Sequence, residues 1–185
     1  MVVITKKDRK WLVCVDYTNL NDVCPNNSFP LPQIGQIVDA IARHEMFFFL
    51  DAFSIYHQIP MFHPDEEKTT FVTPHGLYCY KVMSFELKNV GATYQRLITK
   101  IFKPLIGQTI QVYINDIVVK SETRVEHVQH LEVTFCLLRA YNMKLNPTKC
   151  AFDVNVGTFL GFMVTQMGIE VNPANKGGPW NTCPK

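Results

Sequence analysis

The spacing of apolar residues along the chain predicts three helices. Between positions 34 and 41, apolar residues recur at the spacing of one buried helix face. The same period returns over 94–105 and again behind Thr123, whose spacing to Glu126 is that of a capping box. The third helix has the strongest local signal, because a start signal and a periodic stripe agree.

Short apolar runs bounded by turn residues predict the strands. These runs are Trp11–Tyr17, Met46–Leu50, Gln58–Phe62, Thr69–Thr73, Leu77–Met83, Ile110–Ile114, Ile117–Val119, Cys150–Val154 and Phe159–Val164. Residues 74–76 and the dipeptide Asn115-Asp116 each predict a hairpin tip, and we expect the last two strands to form another hairpin. The asparagine-rich segment 19–27 is expected to be a loop. This mixture of elements predicts an α+β fold with helices on one face of a sheet.

Composition places the chain among ordinary globular proteins. Its 185 residues are 47% hydrophobic and 18% charged, which excludes disordered and collagen-like classes. The net charge of +2 creates no overall field that would indicate a nucleic-acid or membrane partner. Six cysteines without a CxxC pair argue against a zinc ribbon and against dense disulfide bridging, so we expect reduced thiols.

No targeting or membrane-spanning segment is predicted. The first apolar run, Met1–Ile4, is followed by a basic run at 6–10 and is too short for a signal-peptide core. No run approaches the roughly 20 apolar residues that a membrane span needs. We therefore expect an intracellular protein, cytoplasmic or nuclear.

Two acidic residues stand out because each ends an apolar strand. Asp51 follows the run Phe47–Leu50, and Asp116 closes the segment Tyr113-Ile114-Asn115-Asp116. Carboxylates gathered at one sheet edge are what a Mg²⁺ site needs, because hard cations take oxygen ligands. An alternative stays open on spacing alone: Asp51 caps a following turn, and Asp116 simply occupies a hairpin.

Seven motifs in a fixed order carry a family resemblance. They are Trp11–Asn21 (WLVCVDYTNLN), Ser28–Pro32 (SFPLP), Leu50–Ser54 (LDAFS), Glu67–Phe71 (EKTTF), Gly91–Gln95 (GATYQ), Tyr113–Asp116 (YIND) and Phe159–Phe162 (FLGF). Together they resemble the reverse transcriptase of gypsy-type long-terminal-repeat retrotransposons. The matching motifs extend from Lys6 to about Pro173.

The resemblance implies a right-hand polymerase. Its palm is a ferredoxin-like antiparallel sheet with helices on one face, interleaved with a fingers subdomain. We expect one unit over 1–173, with fingers at about 1–26 and 59–89, palm at about 27–58 and 90–173, and an irregular tail at 174–185. The thumb, RNase H and integrase portions of such polyproteins are expected to be absent from this chain.

The resemblance also assigns a metal site and a nucleotide site. Asp51 and Asp116 match metal-binding acids that hold two Mg²⁺ ions, and Asn115 stands where the family has another metal-binding aspartate. For the incoming deoxynucleoside triphosphate, the matching residues are Lys6, Ala52, Phe53, Tyr56 and Phe85. Lys6 would hold the γ-phosphate, and Tyr56 would reject a ribose 2′-hydroxyl by its bulk. Taken alone, Lys6 fits a solvated charge run and Tyr56 fits ordinary packing.

Template and primer contacts are assigned in the same way. Gln95 matches a residue near the template, while Phe159, Leu160 and Gly161 match the primer grip; each is more often a core residue when seen alone. Lys149 falls near a lysine that in related polymerases protonates pyrophosphate, but its register leaves it outside the predicted site. His127 and His130 share an i, i+3 spacing that indicates a solvent-exposed helix face rather than a metal pair.

Three departures from the family pattern bear on activity. Asn115 replaces a carboxylate with a neutral amide, which weakens a site for two dications. Leu12 replaces an arginine that grips the triphosphate, and Glu86 places a carboxylate where the family has a glycine. We therefore expect a degenerate, truncated RNA-directed DNA polymerase domain with negligible polymerisation.

Two further hypotheses stay open besides the polymerase. One is a catalytically inactive remnant that binds RNA or DNA template-primer through the basic run at 6–10. The other is a remnant that folds poorly because apolar palm surface is uncovered.

Overall fold

The chain forms two compact units, each built from separate segments. The computed structural model describes residues 2–5, 11–41, 44, 46–154, 156–160, 162–165 and 168–171. One unit combines Met1–Pro30 with Ser54–Leu97, and the other combines Leu31–Phe53 with Ile98–Lys185. The assignment of fingers and palm to ranges of the chain stays a prediction, and the predicted tail at 174–185 lies outside the described residues.

Helices and strands are interspersed along the described part of the chain. In chain order they are β1 (Val2–Thr5), β2 (Trp11–Cys14), α1 (Thr18–Val23), α2 (Ile34–Ile41), β3 (Met46–Asp51), α3 (His63–Glu66), β4 (Phe71–Thr73), β5 (Gly76–Tyr78), α4 (Val90–Ile101), β6 (Ile110–Tyr113), β7 (Asp116–Ser121), α5 (Arg124–Ala140), β8 (Ala151–Val154), β9 (Val156–Phe159), β10 (Phe162–Thr165) and β11 (Gly168–Val171). Short 3₁₀ turns occupy Ile55–Gln58 and Glu67–Thr69. The predicted α2, α4 and α5 helices are confirmed.

The first unit differs from its predicted secondary structure at two places. Most of α1 lies in the segment 19–27, which the sequence predicts as a loop. The Asp16 carboxylate accepts hydrogen bonds from the Thr18 N–H and hydroxyl, which fixes the turn just before the helix. The predicted strand Gln58–Phe62 is absent from the described residues of this segment, and only Pro60 makes an isolated bridge, to Val82. The predicted hairpin around 74–76 is confirmed as the antiparallel pair β4–β5.

A four-stranded sheet organises the second unit. Its order is β6-β7-β3-β8, and all neighbouring strands are antiparallel. Strands β3 and β7 pair in unbroken register from Met46 opposite Ser121 to Asp51 opposite Asp116. The predicted hairpin is confirmed, but its tip is shifted by one residue: Tyr113 pairs with Asp116, so the turn residues are Ile114 and Asn115, and Asp116 already belongs to β7. The mixed fold with an antiparallel sheet therefore agrees with the predicted class.

Helices lie on both faces of this sheet, although the sequence predicted them on one. On one face, a cluster joins Phe47 and Val118 to Ile37 and Ile41 of α2. On the other face, the ring of Phe48 stacks on the buried His127 of α5 at 4.1 Å, so this histidine does not lie on an exposed helix face. The cause is the run of phenylalanines in β3, which makes both faces apolar, and both must be covered.

The last strands pair differently from the prediction. The sequence predicts one hairpin formed by residues 150–154 and 159–164. Instead β8 pairs with β3, while β9, β10 and β11 form a separate three-stranded antiparallel sheet. The reason is that β3 offers an edge for β8, and the left-handed backbone at Leu160 (φ 51°) lets the chain turn directly from β9 into β10.

Candidate active site at the end of strands β3 and β7

Asp51 and Asp116 face each other where β3 ends and β7 begins. They are direct partners in the antiparallel ladder. The backbone N–H and carbonyl of Asp51 point away from β7 and form hydrogen bonds with the segment 146–150 on the other side of β3. Asp51 and Asp116 are therefore a non-hydrogen-bonded pair of the ladder. Pairs of this type bring the two Cα atoms to about 4.5 Å and the side chains closest together. The structure therefore brings together the two acids that the sequence singled out.

A strained turn directly precedes Asp116. Ile114 adopts φ 49°, although a β-branched side chain rarely enters the left-handed region. Asn115 follows it and is exposed at the hairpin tip. Backbone outliers of this kind persist only where the surrounding structure holds them, and they cluster at functional sites. The turn therefore supports the location of the candidate site without assigning its chemistry.

The electrostatics of the pair are unfavourable for two free carboxylates. Burial, together with the negative charge of Asp51, raises the pKa of Asp116 above its ordinary value, and Lys149 partly opposes this shift. The Lys149 ammonium lies 3.7 Å from Asp51 Oδ2. Lys149 lies outside the predicted site, because nothing in the sequence spacing indicates this contact.

The donor set fits a divalent cation only in part. Two close carboxylates suit a hard cation, and bound positive charge would relieve the repulsion that raises the Asp116 pKa. In the described part of the chain, however, no three His, Cys, Asp or Glu side chains gather as a metal cluster. Asn115, next to Asp116 in the hairpin, offers a neutral amide oxygen instead of a third carboxylate. Asp51 and Asp116 are therefore the residues that would hold Mg²⁺.

Ala52 and Phe53 continue the chain directly from Asp51. Ala52 is buried and forms an antiparallel bridge with Leu145, and the Phe53 N–H donates to the Lys144 carbonyl at 2.9 Å. The hydrogen bond holds the Phe53 backbone, whereas the Phe53 side chain is exposed and its ring is accessible. The predicted role of these two residues in facing a triphosphate stays a prediction.

Three of the other predicted residues lie in the first unit. The rings of Tyr56 and Phe85 are 5.6 Å apart, and Tyr94 meets Tyr56 edge-on at 6.0 Å. Burial raises the pKa of the Tyr56 hydroxyl. Phe85 is largely exposed, whereas Gln95 is buried. Tyr56 and Phe85 thus form one aromatic group, and their predicted nucleotide contacts stay predictions, as does the template contact of Gln95.

The predicted primer grip is described in part. Phe159 is buried in the cluster with Phe47, and Leu160 packs against that cluster from the β9–β10 turn. Gly161, which was predicted to complete the grip, lies outside the described residues. The same holds for Lys6, the predicted γ-phosphate ligand.

Comparison with known proteins assigns the family. Residues 4–164 match the model of the family described as reverse transcriptase (RNA-dependent DNA polymerase). The chain therefore belongs to the reverse transcriptase family.

The similar curated proteins are retrotransposon polyproteins. The chain is 35% identical over 164 residues to the retrovirus-related Pol polyprotein from transposon 297 of Drosophila melanogaster, which covers 89% of this chain and 16% of that protein. It is 31% identical over 160 residues to the Pol polyprotein from transposon gypsy of the same organism, which covers 86% of this chain and 15% of that protein. The predicted resemblance to gypsy-type elements is confirmed, and the chain spans about a sixth of these relatives.

Solved structures agree on the fold. The foamy viral protease-reverse transcriptase in complex with RNA/DNA hybrid matches with a TM-score of 0.84 and 23% identity, over 93% of this chain and 23% of that chain. The same foamy viral enzyme in complex with double-stranded DNA gives a TM-score of 0.84 at 24% identity, over 93% of this chain and 36% of that chain. The polymerase palm fold is therefore confirmed. Among the helices that the structure describes, none is long and apolar enough to cross a bilayer.

Proposed function

We propose that the chain is the catalytic core of an RNA-directed DNA polymerase, in which Asp51 and Asp116 hold the metal ions for nucleotide addition. The observation that carries this proposal is the register of β3 and β7, which sets the two carboxylates opposite each other beside a strained turn. Membership of the reverse transcriptase family supports the assignment of the reaction.

The proposed reaction joins a deoxynucleotide to a primer on an RNA or DNA template. The primer 3′-hydroxyl oxygen attacks the α-phosphorus of a deoxynucleoside triphosphate and forms a new P–O bond. The bond from the α-phosphorus to the bridging oxygen breaks, pyrophosphate leaves, and the hydroxyl proton passes to solvent. When bound, Mg²⁺ supplies positive charge that activates the hydroxyl and stabilises the leaving group.

The residues of this chain would act mainly by position and charge. Asp51 and Asp116 hold positive charge at the point where the new bond forms. Lys149, next to Asp51, adds a cation at the same sheet end. The Tyr56 ring, which packs against Phe85 and Tyr94, would exclude a ribose 2′-hydroxyl by its bulk. Lys6 would hold the γ-phosphate as a point charge.

Asn115 limits the activity that we propose. An amide oxygen carries no net charge, so the site would hold its cations with two carboxylates instead of three. Loss of electrostatic stabilisation from one catalytic group commonly costs roughly 100-fold or more in rate. We therefore expect the chain as written to polymerise at least about 100-fold more slowly than Asn115→Asp.

Primer extension with labelled deoxynucleotide and Mg²⁺ tests the proposal. The variants are the chain as written, Asn115→Asp, and Asn115→Asp combined with Asp51→Asn. We expect only Asn115→Asp to extend primers. Equal extension by the chain as written would refute the role given to Asn115. Extension that survives Asp51→Asn would refute the metal site.

A second candidate function is template-primer binding without synthesis. The neutral Asn115 favours the loss of synthesis, and the basic run at 6–10 would supply the phosphate contacts. Filter binding of labelled template-primer across a salt series tests it. If neither the chain as written nor Asn115→Asp extends primers and binding weakens as salt rises, phosphate contacts remain and this function is supported. Binding that does not depend on salt would contradict it.

A further inference from the structure

The backbone of Asp51 is held by a turn that interrupts strand pairing. Beyond the end of β3, the Phe53 N–H donates to Lys144 O, and the Asn146 N–H donates to Asp51 O at 2.8 Å. Regular antiparallel pairing would complete the Asp51–Asn146 pair with a bond from the Asp51 N–H to Asn146 O. The hydrogen bonds on either side thus predict a bond from the Asp51 N–H to the Asn146 carbonyl, at the candidate metal ligand.

The Asn146 carbonyl accepts other hydrogen bonds instead of the one from the Asp51 N–H. It accepts the N–H groups of Lys149 and Cys150 at 3.1 and 3.2 Å, which closes a tight turn. The Thr148 hydroxyl donates to Asn146 Oδ1 at 2.8 Å and braces the same turn. Because the carbonyl is occupied by the turn, the Asp51 N–H needs another acceptor.

The Cys150 thiol fills this place. The Asp51 N–H donates to Cys150 Sγ at 3.5 Å, and the thiol lies 3.8 Å from the Asp51 carbonyl oxygen. Cys150 is half-buried and forms no disulfide. Strand β8 begins at the next residue, where Ala151 pairs with Phe49 of β3. The sulfur therefore joins the Asp51 backbone to the start of β8 across the interruption.

We propose that Cys150 is a positioning residue for Asp51: its thiol takes over the acceptor role of the missing ladder bond and fixes the end of β3 on which the Asp51 carboxylate stands. The same turn places Lys149 against that carboxylate. The consequence for metal binding rests on the proposed function, whereas the effect on the Asp51 backbone does not.

The test compares acceptors at position 150. Cys150→Ser keeps an acceptor, and Cys150→Ala removes it. Should Cys150→Ala fail to fold, Cys150→Thr and Cys150→Val form a second pair of similar shape that differ in the acceptor oxygen. Cys24→Ala is the matched control, because Cys24 is also half-buried and accepts one donor, Asn89 Nδ2 at 3.3 Å, in the other unit.

Hydrogen exchange of the Asp51 amide, followed by NMR, is the first readout. A typical net hydrogen-bond contribution corresponds to an acceleration of about threefold to tenfold in Cys150→Ala. Cys150→Ser should restore the protection, and Cys24→Ala should leave it unchanged. The proposal would be overturned if the exchange rate of the Asp51 amide were unchanged in Cys150→Ala, or equal in Cys150→Val and Cys150→Thr.

The Mn²⁺ concentration at half-saturation is the second readout, measured in the Asn115→Asp background. It should rise by a similar factor in Cys150→Ala and return in Cys150→Ser, which a purely structural role would not produce. A midpoint that stays unchanged while exchange accelerates would overturn the positioning role. If the Asn115→Asp chain itself binds no Mn²⁺, the proposed function fails, and the exchange rates alone decide whether Cys150 holds Asp51.

Discussion

Replacing Asp116 with asparagine should stabilise the protein when no divalent metal is present. In the folded state, burial and the Asp51 charge raise the pKa of Asp116. A group with a raised pKa contributes stability below the ordinary aspartate pKa, and this contribution is lost as the pH rises through the raised value. At pH 7 the ionised Asp116 carboxylate therefore lowers the stability of the folded chain, whereas a neutral asparagine at this position would not.

The magnitude follows from the geometry of the pair. Two unit charges about 5 Å apart repel by about 3 kcal/mol at an effective dielectric constant of about 20. The nearby Lys149 and partial solvent exposure reduce this, since the Asp51 side chain is 22% exposed. We expect a net gain of about 1 kcal/mol for Asp116→Asn, or about 2–4 °C in Tm for a chain of this size.

Thermal unfolding at pH 7 with and without Mg²⁺ is the assay. Asp39→Asn, which removes an exposed carboxylate from α2, is the control and should change stability by less than about 0.5 kcal/mol. Mg²⁺ at ten times its Kd should stabilise the chain as written by about 1.4 kcal/mol and should not stabilise Asp116→Asn. A lower Tm for Asp116→Asn without metal, or equal Mg²⁺ stabilisation of both proteins, would refute the reasoning.

Four other substitutions test the fold around the site by denaturant unfolding. Phe47→Ala removes a fully buried ring and should cost about 3–5 kcal/mol, whereas Phe152→Ala, at a ring 45% exposed, should cost about 1 kcal/mol. Thr123→Ala removes the side-chain half of the α5 capping box and should cost about 1 kcal/mol. Lys120→Met should remove a rise in stability that the unmodified chain shows as the pH approaches the ordinary lysine pKa, because burial lowers the Lys120 pKa and the unfolded chain then binds more protons than the folded one. Equal losses for the two phenylalanines, no loss for Thr123→Ala, or an unchanged pH slope for Lys120→Met would each contradict the corresponding assignment.

Local sequence patterns predicted the elements that carry the site. The apolar run before Asp51 is a local signal for a strand. The polar dipeptide Asn115-Asp116 is a local signal for a tight turn, although the turn itself starts one residue earlier, at Ile114. The partner of each strand is not a local property, and periodicity assigns element types without pairings. The meeting of Asp51 and Asp116 was therefore predicted through family resemblance and not through spacing.

The errors arose where tertiary contacts decide the structure. His127 carries a polar ring on a helix, yet stacking on Phe48 and a hydrogen bond between its Nδ1 and Ser121 Oγ at 2.9 Å bury it. Strand β8 was paired with its sequence neighbour, although β3 offered it a free edge. A sequence alone contains no signal for such distant partners.

The positions of Lys149 and Cys150 show the same limit within the site. Both depend on a turn whose hydrogen bonds compete with a ladder bond of Asp51, and this competition exists only in the folded chain. Their residue types gave no sign of it, since a surface lysine and an isolated cysteine are common. The conformation of this short turn places the Lys149 ammonium beside the Asp51 carboxylate and the Cys150 thiol beside the Asp51 N–H.

Direct measurement of Mn²⁺ binding by electron paramagnetic resonance tests the central claim, that Asp51 and Asp116 together form the metal site. The experiment uses the Asn115→Asp chain and adds Asp51→Asn, Asp116→Asn or, as a control, Asp39→Asn. We predict saturable binding that is lost with either site substitution and kept with the control. Binding that persists at the same affinity in the Asp51→Asn variant or in the Asp116→Asn variant would contradict the account.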